Sequence, residues 1–481
     1  MNIRNIFENA PSLEIKNIMT DSRIKAEDAI FFCLKGIIND GHDYIEQAVN
    51  NGAICVVHSD EIAEYLPGVT YLMVHDTKEA LNYFTARFYG DPTSKMKVFG
   101  ITGSFGKSSV AWITAYLCNK FEKCGYIGNE EAILDDLATD VEEEKHDAVF
   151  IQSQCREMLD RDCQCVSLEV TSEGLVDGIY DKVSFDSVSF TNLNNAHLDL
   201  HGSFERYYNT KKTLFTMISA EQKAIINIDE EVGRKLVEDT TGTPVTYGID
   251  TQADYVATNI KMFADHSEFK LVHNNNKYDV YSNLVAQFNV YNLLNALAIL
   301  GESGYPLEEL VKYCDEIPPI IGRMEKVQEG QPFNVIVDQA DSPEGFKNIL
   351  EFARGVSGKN RRIFVVFGAN GGRDPKKKAE LGKVASEYGD VVILTIQNPR
   401  YEDPEKISEQ IKAGINDVNC IYVEERYCAI SQALELANPG DMICILGKGN
   451  EQTIEISGIK QYWMGDSNAV RKIIREMNEV E

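Results

Sequence analysis

An α/β fold in three blocks is predicted by three observations on this 481-residue chain: apolar, β-branched runs of strand length, helix-like stretches between them, and glycine–proline clusters that punctuate the alternation. A chain of this length fits about three domains of ordinary size. The first block, residues 1–93, alternates AIFFCL, YIEQAVNNGA and ICVVHSD, and closes at the turn-forming GDPTS of Gly90–Ser94. The second, residues 94–321, opens on MKVFGIT, a glycine-rich turn and the helix-like KSSVAWITAYLCNK, then continues through VSLEVTS, SVSFTNL and AIINI. This βα rhythm reads as a parallel sheet covered by helices. EFKLVHNNNKYDVYSNL reads as a hairpin, with Asn274–Asn276 at the turn. The third block, residues 322–481, repeats the rhythm with FNVIVD, RIFVVFG, VVILTI, CIYV and MICILG, each followed by a helical pattern, as in a doubly wound, Rossmann-like fold.

Hydrophobic residues make up 43% of the chain and charged residues 25%, a composition able to bury several cores. The 75 acidic residues outnumber the 47 basic ones, for a formal net charge of −28. Such a chain repels nucleic acid and anionic lipid alike, so neither is an expected partner. Any anionic ligand must be held by local donors and cations. The stretch MNIRNIFENAPSLEI has no apolar core of signal-peptide length, and no apolar run is long enough to span a bilayer. The 11 cysteines are scattered without a pair of CxxC units, which argues for reduced thiols in a cytoplasm and against a zinc site.

The segment Gly100-Ile-Thr-Gly-Ser-Phe-Gly-Lys-Ser108 follows a strand and opens a helix. Backbone N–H groups of such a turn converge on phosphate oxygens, and the helix N-terminus adds partial positive charge. Lys107 would reach the outer phosphates and Ser108 would hold Mg2+, so ATP and Mg2+ are the expected cofactors. The common spacing of such loops asks for glycine at Ile101; here the glycines are Gly100, Gly103 and Gly106.

G-x-T-G-[ST]-x-G-K-[ST] is the form this loop takes in the Mur ligases, and the chain resembles that family from end to end. The resemblance is strongest to the MurE type, which adds the third residue of the peptidoglycan stem peptide. DSR (Asp21–Arg23) and DGHDYIEQAVNNGAICVV resemble its uridine-binding first domain. SLEVTS, FTNLNNAHLDLHGSFERYYNTKKTLF and FNVYN resemble its ATPase domain. GRMEKV, VDQADSPE, GRDPKKK, QNPRYEDP and GKGNE resemble the third domain, which receives the amino acid.

The resemblance implies three domains, at 1–93 for the UDP-substrate, 94–321 for the ATPase and 322–481 for the amino acid. It implies phosphorylation of a carboxylate by ATP, then attack of an amine on the acyl phosphate to form an amide. Such catalysis rests on positioning and on neutralising phosphate charge. Lys107, Glu169, His197 and Lys211 are the implied catalytic residues; Ser108, Glu169, His197 and Lys211, the last carbamylated by CO2, are the implied metal ligands. Gly103, Ser104, Gly106, Lys107, Ser108, Ser109, Asn292, Arg323 and Asp338 would contact the nucleotide, with closure of the third domain completing the site. Ser22, Asp40, His42 and Ser172 would contact the UDP-linked acceptor. Arg373, Asn398, Arg400, Gly447 and Glu451 match positions that hold meso-diaminopimelate, where an arginine fork suits a carboxylate. The expected partners are a UDP-linked muramoyl peptide or related carboxylate and a free amino acid, and the expected state is a cytoplasmic monomer.

Several acceptor-side positions depart from the family pattern. The TTP loop should fall near Glu144-Lys145-His146, EVSSH reads Glu169-Val-Thr-Ser-Glu173, and an expected arginine aligns with Ile179. Ala196, Asp341, Gln397 and Phe105 replace other family residues. Exchanging histidine and arginine for an acid and isoleucine removes donors that an anionic substrate needs. Two other readings therefore stand beside the MurE-type one: a Mur-like ligase with another acceptor or amino acid, and a non-catalytic nucleotide-binding scaffold. A plain P-loop NTPase is weaker, since the amino-acid domain also matches.

Overall fold

The computed structural model describes the chain except residues 9, 37–38, 63, 130, 135–136, 141–146, 195–200, 359 and 481. His197, Ala196 and Glu144–His146 thus lie outside the described residues. The chain folds into two compact units, residues 1–254 with 295–305, and residues 255–294 with 306–481. No described helix is long and apolar enough to cross a membrane.

The first unit holds two sheets. Asn17–Met19, Ala29–Phe32, Ala53–His58 and Thr70–Met73 form an all-parallel sheet in chain order. Ala29–Phe32 is buried at every residue, because a parallel strand covered on both faces has no polar side to show. The following helix, Thr77–Phe88, starts where the Asp76 carboxylate accepts from the N–H groups of Lys78 and Glu79.

The larger sheet carries, in spatial order, Thr243–Gly248, Lys223–Asn227, Ser187–Phe190, Lys97–Thr102, Cys165–Glu169 and Cys124–Ile127, all parallel. Glu131–Leu134 and Leu137–Asp140 extend its far edge in antiparallel fashion. From Lys97–Thr102 the chain first builds strands on one side, then returns through Ser187–Phe190 on the other. That reversal opens a crevice at the strands' carboxyl ends, the usual ligand position in open α/β sheets. Below it, Val98, Val166, Leu168, Val188 and Phe190 pack with Leu214 and Phe215 of helix Phe204–Thr216.

In the second unit Tyr255–Met262, Ser267–His273 and Asn276–Ser282 form an antiparallel meander. The hairpin turn is shorter than the sequence reading has it. His273 pairs directly with Asn276, leaving Asn274 and Asn275 as the two turn residues, at φ 48° and 63°. Asparagine tolerates this left-handed geometry, and a two-residue turn of that hand matches the strand twist.

The second sheet of this unit runs Glu325–Val327, Asn334–Asp338, Met442–Leu446, Ile363–Phe367, Val391–Leu394 and Asn419–Tyr422, parallel except for the first strand. All the strand candidates of the third block are strands here. One connection differs from expectation: Met442–Leu446 leads into a small antiparallel pair, Thr453–Ile456 with Ile459–Tyr462, before the last helix, Asp466–Val480. Its Asp466 carboxylate receives the Arg426 guanidinium in two hydrogen bonds, at 2.7 and 2.6 Å, with both side chains at 0% exposure.

Candidate active site

The phosphate loop leaves the end of strand Lys97–Thr102 and enters helix Lys107–Cys118. Gly103 has φ 153°, and a Cβ there would sit 1.8 Å from Thr191 Oγ1. Gly106, at φ 81°, supplies the left-handed residue that starts the helix. Thr191 and Asn192, just beyond Ser187–Phe190, brace the loop. Asn192 O accepts from Ser104 N at 2.9 Å, Asn192 Oδ1 accepts from Phe105 N at 3.0 Å, and Thr191 Oγ1 donates to Phe105 O at 2.6 Å. These two residues are named by no sequence argument beyond the quoted FTNLNN, because only the parallel pairing brings that motif to the loop.

Three predicted residues meet at the crevice. Lys107 Nζ donates to Ser104 O at 3.2 Å and lies 3.6 Å from Glu169 Oε1 at the tip of its strand. Lys211 is buried on helix Phe204–Thr216, donating to Thr102 Oγ1 at 3.3 Å. Burial drives its pKa well below the usual lysine value, and the Lys107 charge pushes the same way against Glu173 and Glu169. Lys211 therefore gives up its proton more readily than an exposed lysine does. Its neighbour Lys212 instead pairs with Asp239 at 3.1 Å.

Tyr207, one helical turn before Lys211, places its ring 4.9 Å from Lys211 Nζ and its hydroxyl 3.1 Å from Ser104 Oγ. The i,i+4 spacing on a helix was the available signal for it.

Lys107, Glu169, Ser172, Glu173, Ile179, Tyr207 and Lys211 all line one cavity of about 560 Å³, whose wall also includes Leu34, Lys78 and Asn82 from the first sheet's layer. Ser172 opens the short helix Ser172–Val176 and donates to Glu173 Oε2 at 3.0 Å. The two altered positions, Glu173 and Ile179, thus face the same space as the phosphate-loop lysine. The donor set suits Mg2+, a hard cation: Glu169 and Glu173 offer carboxylate oxygens.

The other acceptor-side residues stand farther along the first unit. Ser22 Oγ donates to Gln47 Oε1 at 2.7 Å. His42 holds Asp40 at 2.5 Å through Nδ1, while its Nε2 accepts from Ser59 N at 3.1 Å and Asp60 N at 3.3 Å. Those partners make the ring a neutral tautomer protonated on Nδ1.

In the second unit, both Asp338 oxygens accept backbone N–H groups, from Met324 and Ala340, each at 2.7 Å. Burial raises this carboxyl's pKa, against the nearby Arg323 charge and the two N–H donors. Asn292 is buried and donates to Asn289 Oδ1 at 2.9 Å. Arg373 shares a small pocket with Asp341, Asn370, Lys378 and Gln397. Gln397 Nε2 donates to Gly447 O at 2.8 Å, and a Cβ on Gly447 would strike Gln397 Oε1 at 2.8 Å.

Beside this pocket Glu451 accepts from Lys448 Nζ at 2.6 Å and from Asn398 Nδ2 at 3.3 Å. Lys448, fully buried, is a residue that sequence reasoning left inside the motif GKGNE without a role. Arg400 is turned toward strand Thr453–Ile456, its Nε 3.4 Å from Glu455 Oε2.

Family models match along most of the chain: "Mur ligase family, catalytic domain" over residues 14–89, "Mur ligase middle domain" over 101–300, and "Mur ligase, glutamate ligase domain" over 322–449. The UDP-N-acetylmuramoyl-L-alanyl-D-glutamate–2,6-diaminopimelate ligase of Caldanaerobacter subterraneus subsp. tengcongensis is 35% identical over 477 residues, 98% of each chain. The enzyme of the same name from Geobacillus kaustophilus is 34% identical over 96% of this chain and 95% of its own.

Among solved structures, one of a ligase of that name superposes with a TM-score of 0.70 at 24% identity over 99% of both chains. The MurF ligase of Thermotoga maritima in complex with ADP also gives 0.70, at 16% identity over 97% of this chain and 99% of its own. With near full-length identity above a third and all three domain models in order, the chain belongs to the Mur ligase family, in its MurE type.

Proposed function

We propose that this chain is an ATP-dependent acid–amino-acid ligase, adding an amino acid such as meso-diaminopimelate to a UDP-N-acetylmuramoyl dipeptide during peptidoglycan precursor synthesis in the cytoplasm. Blocks 1–93, 94–321 and 322–481 would then handle the UDP-linked acceptor, ATP and the amino acid, in a monomer. One observation carries the reading: Lys107 of the glycine-rich loop, Glu169 and the buried Lys211 share a single cavity large enough for reacting groups.

In the reaction an acceptor carboxylate oxygen attacks the γ-phosphorus of ATP and ADP leaves. The amino group of the incoming amino acid then attacks the acyl carbon, phosphate departs, and the amine proton passes to solvent or a base. Lys107 neutralises charge on the outer phosphates, and the braced backbone of Gly103–Ser108 orients them. Ser108, Glu169, His197 and Lys211, the last once carbamylated, would hold Mg2+, which would supply Lewis-acid charge neutralisation at the phosphates. The burial of Lys211 favours carbamylation, since only an uncharged amine attacks CO2 and a lowered pKa makes that form easier to reach. Ser104, Ser109, Asn292, Arg323 and Asp338 are assigned to the nucleotide, and Ser22, Asp40, His42 and Ser172 to the acceptor. Arg373, Asn398, Arg400, Gly447 and Glu451 are assigned to the amino acid.

A second reading keeps the chemistry and changes the acceptor. Glu173 and Ile179, facing the cavity where the family carries histidine and arginine, favour an acceptor less anionic at that point.

Both readings are tested by incubating the protein with ATP, Mg2+, UDP-muramoyl-dipeptide and a panel of amino acids, following phosphate release and product mass. Release dependent on both dipeptide and meso-diaminopimelate is expected. Turnover with a neutralised acceptor alone would establish the second reading, and failure to bind nucleotide would exclude both.

A further inference from the structure

At the opposite end of the phosphate-loop helix from Lys107, three cysteines and a glutamate converge. Cys118 ends helix Lys107–Cys118, Cys124 begins strand Cys124–Ile127, and Cys165 begins strand Cys165–Glu169. Cys124 and Cys165 are register partners in adjacent parallel strands, so their side chains leave the sheet on one face. Cys118 Sγ, Cys165 Sγ and a Glu122 carboxylate oxygen all lie within 4.8 Å of one another. Cys124, the register partner of Cys165, stands beside that set, its Sγ donating to Gly125 O at 3.5 Å. The three cysteines are at most 4% exposed, whereas the Glu122 side chain, at 19%, leaves the cluster a way to solvent.

We propose that Cys118, Cys165 and Glu122 form a binding site for a thiophilic divalent cation, Zn2+ being the natural occupant, with the fourth position open to Cys124 or water. Ligands about 2.3 Å from zinc at the corners of a tetrahedron stand roughly 3.8 Å apart, a spacing that Cys118, Cys165 and Glu122, within 4.8 Å of one another, reach with small side-chain shifts.

The surroundings match a metal site better than a set of packing thiols. Buried cysteines elsewhere in this unit, such as Cys155 and Cys163, sit among apolar side chains of the core. Glu122 is oriented by Lys97 Nζ at 2.9 Å and by the Tyr305 hydroxyl, the kind of outer partners that aim a ligand carboxylate. A Cys118–Cys165 disulfide would leave the Glu122 carboxylate, which accepts from Cys165 Sγ at 3.0 Å, without that partner.

On binding, each metal–sulfur bond replaces an S–H bond and its proton goes to solvent, while Zn2+ and the Lys97 ammonium offset most of the resulting negative charge. The metal would clamp the far ends of the helix and strand whose near ends carry Lys107 and Glu169.

The test uses full-length protein, stripped by chelator under thiol reductant and held in excess Mg2+ and ADP, so that oxygen-ligand sites are filled. Titration with Co2+ is expected to give thiolate-to-cobalt charge-transfer absorption saturating at one equivalent, displaced by one equivalent of Zn2+. Cys118→Ser, Cys165→Ser and the shape-conserving Glu122→Gln are each expected to weaken Zn2+ binding by at least about tenfold. Cys428→Ser, at an exposed position, should leave binding unchanged. The proposal is overturned if wild-type protein shows no stoichiometric thiolate band, or if all three variants bind Zn2+ as the wild type does. A Cys118–Cys165 disulfide in protein purified under reductant would equally overturn it.

Discussion

Lys211 shows what a single residue's surroundings do to its chemistry. In the unfolded chain a lysine titrates near about 10.4. In the fold, burial and then Lys107 hold this amine's pKa well below that value. Between the folded and unfolded pKa values the unfolded chain binds a proton that the native protein does not, so stability rises with pH across that window and levels off above it. In CO2-free buffer, the stability difference between wild type and Lys211→Met, read by urea unfolding, is therefore expected to shift toward wild type as pH climbs from neutral toward 10. A difference constant in pH would mean that the amine stays charged in the fold. The same site predicts that Lys107→Ala lowers kcat/KM for ATP by about 10²–10³-fold, the usual cost of one well-placed charge-stabilising donor. Activity retained in that variant would remove the phosphate-loop assignment.

At the scale of elements, the phosphate loop depends on a strand distant in sequence. Thr191 and Asn192 hold three of its backbone groups, and the Gly103 position has no room for a methyl beside Thr191 Oγ1. Gly103→Ala must therefore move either the loop or Thr191, with strain of about 1–3 kcal/mol at such a dihedral. ADP affinity measured by calorimetry should fall at least tenfold, whereas the far-ultraviolet spectrum should be unchanged. Unaltered affinity would show that the loop is not the phosphate cradle. In the second unit the buried Arg426–Asp466 pair joins the start of one helix to the start of another. Arg426 also donates to Ile396 O and Leu446 O, so the guanidinium ties two strand ends to the pair. Arg426→Met leaves an uncompensated carboxylate, and a loss of about 3–5 kcal/mol in urea unfolding is expected.

For the whole molecule, the net charge of −28 opposes the approach of ATP and of a UDP-linked substrate. Screening lengths fall from about 30 Å at 0.01 M salt to about 10 Å at 0.1 M. The second-order rate of ATP capture is accordingly expected to rise over that range, the reverse of the behaviour of a basic nucleotide-binding protein. Stopped-flow measurement with a fluorescent ATP analogue checks it, and a rate that falls with salt would show that local cations around Lys107 dominate over the global field.

Much of this protein was legible from the chain alone. The strands were readable because parallel strands buried on both faces must be written as continuous apolar runs, and Lys97–Thr102, Ile363–Phe367 and Met442–Leu446 are such runs. The glycine-rich turn of Gly100–Ser108 was readable because it is one contiguous segment whose glycines Gly103 and Gly106 are demanded by backbone geometry. Family membership followed from the order of many such segments.

What only the tertiary structure decided are properties that arise between segments. Tyr207 beside Ser104, Thr191 and Asn192 under the loop, Lys448 against Glu451, and the clustering of Cys118 and Cys165 with Glu122 are set by strand order and helix packing. The scattered spacing of the cysteines spoke against a zinc site, yet residues far apart in sequence become neighbours once adjacent parallel strands fix their register. The lowered pKa of Lys211 is of the same kind. Desolvation and the field of nearby charges depend on distance in space, and a linear sequence does not contain that distance.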